Sequence, residues 1–98
     1  MTYVRLWLDD HRLGCGERGF FVVQRGPKWV TLFYPPRSIT TKVDTKQFDR
    51  YAKEERYQKV KMRALIREVA ARNTEDGKRP KLSNAARQVL QQMKSPRS

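Results

Sequence analysis

A single cysteine, Cys15, and a single histidine, His11, are all that the chain supplies of either residue in 98 positions. One thiol excludes an internal disulfide, and a reducing, cytoplasmic setting is the expectation. One thiol and one imidazole also fall short of the ligand set of a tetrahedral zinc site. Asp9, Asp10, His11 and Cys15 stand close together, and paired carboxylates could serve magnesium. In so polar a stretch a plain loop is the expected reading, with no metal and no cofactor. Neither a glycine-rich phosphate cradle nor a nucleophile–base spacing is legible, so the chain is not expected to be an enzyme. Apolar runs are short throughout. None reaches the about 18 residues of a membrane span. The opening MTYVRLWLDDHR meets Asp9 and Asp10 too early for the apolar segment of a secretion signal.

Acidic residues are scarce as well. Against 22 Lys and Arg there are 10 Asp and Glu, a net charge of +12. Such an excess favours polyanionic partners: nucleic acid first, then an acidic protein surface or anionic lipid. The excess is uneven, at +3 over residues 1–45 and +9 over residues 46–98.

What is present reads first as strands. Alternation in YVRLWL places Val4, Leu6 and Leu8 on one face and Tyr3, Arg5 and Trp7 on the other. DDHRLGCGERG is rich in turn formers and reads as a loop. FFVVQ (20–24) and KWVTLFY (28–34) are joined by RGPK as a hairpin. Pro35-Pro36 ends the second of these strands, and SITTKV (38–43) reads as a further one. From Asp44, a good N-cap with Gln47 in the reciprocal position, no Gly or Pro interrupts until about Ala71. A long helix is expected there. Phe48, Tyr51, Ala52, Met62, Leu65, Ile66, Val69 and Ala70 fall on one side of it, but so do Glu55, Gln58 and Lys59. That polar gap implies either a helix that leaves the sheet for a second packing surface, which is preferred, or a break near Glu55–Gln58. NTEDGKRPK (73–81) reads as a loop, and Ser83 caps a short last helix with an Ala86, Val89, Leu90, Met93 stripe. That stripe is expected to meet Leu65, Ile66 and Val69, or to pair with a second copy as a homodimer through helices.

The expected fold is therefore α+β: a small antiparallel sheet of three or four strands, a long basic helix and a short C-terminal helix. Residues 1–73 form the sheet-and-helix domain, and 74–98 a basic loop, helix and tail appended to it. At the level of architecture, an SH3-like barrel or a three-stranded sheet backed by a helix would use these elements. Neither assigns a function.

Three groups of residues are candidates for contact with a polyanion. In the third strand Trp29, Thr31 and Phe33 share a face, opposite Val30, Leu32 and Tyr34. In so small a sheet most large aromatics are core. If the aliphatic face is the inner one, however, Trp29 and Phe33 become a stacking platform rimmed by Arg25, Lys28 and Arg37. The long helix presents Lys46, Arg50, Lys53, Lys61 and Arg67 off its apolar side, with Arg56 and Arg63 at the edge. Such a row can follow phosphates. Lys78, Arg79 and Lys81 add charge density without defined geometry. The expected function is a non-enzymatic nucleic-acid-binding accessory protein, for DNA or RNA. The alternative is a small phage-type inhibitor or adaptor docking on an acidic surface of a larger nucleic-acid-processing complex. A structural protein of a ribosome or capsid is a weaker third.

Overall fold

The computed structural model describes residues 2–72 and 83–93. Lys78, Arg79, Lys81, the loop 73–81 and the tail 94–98 lie outside these. The described chain is α+β. Its strands are β1 (Tyr3–Asp10), β2 (Gly14–Arg25), β3 (Trp29–Tyr34), β4 (Ile39–Asp44) and β5 (Lys53–Glu54). The helices are α1 (Thr45–Tyr51), α2 (Lys59–Arg72) and α3 (Asn84–Met93), with a 3₁₀ turn at Pro35–Arg37. The strands form one antiparallel sheet in the order β4-β3-β2-β1-β5. No ladder joins β4 to β5, so the sheet is open rather than a closed barrel.

Each face carries its own core, and the alternation of the strands decides the membership. On the first face Leu6, Leu8, Phe20, Val30, Leu32 and Val43 pack with Leu13; α1 adds Phe48, and Ala52 follows at its C-cap. On the second, Phe21 and Phe33 pack against Ile66 of α2 and against Ala86, Val89, Leu90 and Met93 of α3. Tyr3 and Tyr57 close the edge of the second core, with ring centroids 4.9 and 5.0 Å from Phe21. Of Leu65, Ile66 and Val69, expected to meet the α3 stripe, only Ile66 joins its cluster, and the meeting takes place on the sheet. The stripe is thus buried within one chain. Ser83 caps α3 through its hydroxyl, which accepts from the Ala86 N–H at 3.1 Å.

The sheet has five strands where three or four were expected, and two further expectations are corrected. The stretch read as a loop from Asp9 is largely ladder: Asp9 pairs with Cys15 and Asp10 with Gly14, leaving residues 11–13 as the turn. Gly14 takes a positive φ of 83° there, which glycine adopts without steric cost. Arg18 holds the tip from below, donating to the Leu13 carbonyl at 2.6 Å. The second correction concerns the long helix, which stops at Tyr51 and resumes at Lys59. A continuous helix would have pressed Glu55, Gln58 and Lys59 into the apolar stripe, where unpaired polar groups are costly. Instead Lys53 and Glu54 turn extended and pair with Arg5 and Val4. The Glu55 N–H adds a bond to the Tyr3 carbonyl at 2.8 Å. The chain thereby passes over the β1 edge from one face of the sheet to the other.

A bulge in β2 matters most for the exposed surface. Val22 pairs with Leu32 and Gln24 with Thr31, so Val23 is an extra residue. Its carbonyl accepts from the Gln88 side chain of α3 at 3.0 Å. Beyond the bulge the alternation is reversed: Gln24 joins the second face and Arg25 the first.

Candidate nucleic-acid interface

The β2–β3 hairpin is fixed from behind by α1. The Thr45 N–H donates to the Lys28 carbonyl at 3.0 Å, its hydroxyl donates to the Gly26 carbonyl at 3.2 Å, and the Gly26 N–H donates to the Trp29 carbonyl at 2.9 Å. Asp44 sets the start of α1 by accepting from the Lys46 N–H at 2.8 Å. On this support Trp29 stands 48% exposed on the second face. It lines a shallow depression with Gln24, Gly26, Pro27, Lys28, Thr31 and Lys42. The Lys28 ammonium lies 6.0 Å from the Trp29 ring centroid, the limit of a cation–π contact.

Of the aromatic platform read from sequence, only half is therefore on the surface. Phe33 shares the face of Trp29, but α2 and α3 cover it, and it is fully buried. Nor do Arg25 and Arg37 rim the patch. The bulge turns Arg25 to the first face, where its guanidinium meets both Asp49 oxygens at 2.6 and 2.8 Å and lies 5.6 Å from the Phe48 centroid. Arg37 follows the far end of β3 and donates to the Arg12 carbonyl at 2.6 Å. In their place stand Gln24 and Lys42. Lys42 was legible as the partner of neither aromatic, because the β3–β4 register that sets it opposite Thr31 depends on pairing, not on local sequence.

The row of helix cations is also redistributed, since α1 and α2 lie on opposite faces. Lys46 and Arg50 line one depression of α1 with Gln47 and Tyr51. Arg56 and Lys61 come together in another, walled by Tyr3, Tyr57, Met62 and Leu65. Lys53 sits on β5 beside Arg5, and Arg67 is exposed on α2. Among the described residues no ion pair engages Lys46, Arg50, Lys53, Arg56, Lys61 or Arg67. Arg63 differs. It is half-buried, and among the described residues its Nε has no hydrogen-bond partner.

A second exposed indole, Trp7, is 51% exposed at the opposite end of the same face. Its surroundings are acidic. Glu17 lies directly across from it, and Asp9 is the next residue on its side of β1. Arg5, between them and Tyr3, is held by Glu55 at 3.2 Å and by Glu17 at 3.9 Å.

Burial first, and then the Glu55 charge, raise the Tyr3 phenol above its ordinary range. A hydrogen bond to Asp9 raises the Cys15 thiol above its ordinary range. Asp10 is held well below the usual carboxylate range, first by the Thr41 hydroxyl and then by the Arg12 N–H. Among the described residues no three of His, Cys, Asp and Glu cluster as metal ligands, and no helix is long and apolar enough to cross a membrane. No protein family, curated protein or solved structure matches the chain.

Proposed function

We propose that the protein is a non-enzymatic nucleic-acid-binding accessory protein, acting in the cytoplasm and held on phosphates by dispersed surface cations. The observation that supports this reading is the set of exposed cations, Lys46, Arg50, Lys53, Arg56, Lys61 and Arg67, that no described carboxylate pairs. Neutralised cations would favour fold stability alone; unpaired ones keep their charge for a partner. Their spread over α1, β5, the link after it and α2 suits contact with a backbone rather than the reading of a base sequence. We also read the curled sheet, with its helical turn before β5, as an SH3-like small barrel left open. The analogy is one of architecture and adds nothing about function.

Affinity is expected to fall steeply with salt. With about five phosphate contacts, a fourfold rise in salt lowers it by roughly 10²- to 10³-fold. Changing Arg50, Lys53 and Arg56 together to Glu is expected to weaken binding to all sequences alike and to flatten the salt slope. Titration of labelled DNA and RNA at several salt concentrations checks this. Unchanged affinity for both would favour the second reading, an adaptor that docks on an acidic protein surface. Val60, 81% exposed, and Tyr51, 56% exposed, support that alternative, because apolar side chains among cations suit a protein interface.

A further inference from the structure

We propose that the patch formed by Trp29, Gln24, Thr31, Lys28 and Lys42 takes one unpaired nucleobase of a single strand. The inference rests on the nucleic-acid reading above and narrows it to a strand state and a place.

The indole is presented by a strand, not a loop. β3 is paired on both sides, with Arg25 opposite Val30 on β2 and Asp44 opposite Trp29 on β4. The hairpin beneath is tied to α1 by both Thr45 bonds. A base stacking there pays little to order its platform. The depression is about 290 Å3, at the bottom of the range of small-ligand sites, which is room for one flat ring rather than several. A base within a duplex has both faces covered by its neighbours. Away from a duplex end, only an unpaired base can offer a face to the indole.

Charge selects this indole over the other. Lys28 and Lys42 flank Trp29, whereas Glu17 and Asp9 flank Trp7 and would repel phosphates. Asp44, opposite Trp29, has its carboxylate turned to the Lys46 N–H in the first turn of α1, where the helix end offsets its charge. Lys28 hovers over the ring at the limit of its reach and is exposed. An exposed cation–π contact is weaker than base stacking, so an incoming base displaces the ammonium toward the adjoining phosphate. Gln24, aimed to this face by the bulge, and Thr31 bring amide and hydroxyl groups to the base edge.

The test uses the full chain with a single-stranded oligonucleotide and a duplex of the same length, each titrated at several salt concentrations and compared at the lowest. Trp29→Ala is expected to weaken single-strand binding by roughly 5- to 100-fold while leaving duplex affinity within about twofold. Trp29→Phe should restore most of the loss, because a ring suffices for stacking. Lys42→Glu should weaken binding and lower the single-strand salt slope by about one phosphate's worth or more. Far-UV circular dichroism melts confirm that each variant is folded. In a Trp7→Phe background the remaining indole should be quenched by the single strand and not by the duplex. Equal losses on both ligands, or no loss on either, would overturn the stacking site and leave the nucleic-acid reading intact. Failure of the unmodified chain to bind either ligand would remove that reading as well.

Discussion

Gly19 shows how much one missing side chain does. It lies on the second face opposite Arg5, and the Tyr3 phenol leans diagonally across it, so that a Cβ at Gly19 would collide with the ring and its oxygen. That tilt brings Tyr3 onto Phe21 and Tyr57. Gly19→Ala is therefore expected to cost roughly 1–3 kcal/mol, the usual range for overpacking. Urea denaturation measures it, and in a Tyr3→Leu background the added cost should shrink, since the two positions are coupled. Nothing in the sequence separates Gly19 from Gly14 or Gly16. Likewise, alternation told that Trp29 and Phe33 share a face, and told it correctly. Which end of that face a helix covers is a property of the assembled molecule, and it makes one of them core and the other surface.

The β1–β2 hairpin bends over the first face, bringing Leu13 into its core and its tip to β4. Three contacts secure it: the Thr41 hydroxyl donates to Asp10 at 2.7 Å, Arg12 donates to the Thr40 carbonyl at 2.7 Å, and Arg37 donates to the Arg12 carbonyl. Because the folded protein depresses the Asp10 pKa, this stabilisation is fully present above the unfolded-chain value of 3.8 and is lost as pH falls toward the folded value. Asp10→Asn should accordingly flatten the loss of stability that sets in below about pH 4 and continues to about pH 2, read from urea midpoints. Thr41→Val at neutral pH should cost roughly 1–3 kcal/mol, since the bond removed is to a charged group. No such latch was legible. It joins residues 31 apart in sequence, and the same turn formers that read as a loop form the paired ends of β1 and β2. The strand cores, both helix caps and the α3 stripe were legible because each is a local pattern. The break between α1 and α2 was half legible: the polar gap at Glu55, Gln58 and Lys59 marked the place, but the free β1 edge that rewards the break is far away in sequence.

At the scale of the molecule, one sheet separates two cores, and α3 closes the second. Ending the chain at Arg72 would strip Ala86, Val89, Leu90 and Met93 from Phe21, Phe33 and Ile66. The three larger side chains alone represent roughly 5–9 kcal/mol of burial, comparable with the whole stability of a small domain. The truncated chain is expected to be unfolded or to self-associate through the uncovered aromatics. Thermal melts and light scattering distinguish these, and a monomer with unchanged melting temperature would show that α3 contributes little to the second core.

The shared sheet has a consequence in time. Within β3, Val30 and Leu32 belong to one core and Phe33, the next residue, to the other. Neither core can loosen at β3 without disturbing the backbone that the other depends on. The amides of β2 and β3 are then reached by deuterium only when the entire chain opens, at one common free energy. The exposed end of α1, buried at no residue, exchanges long before them. A ligand that stacks on Trp29 would therefore slow exchange throughout both cores, including at residues on the face it never touches.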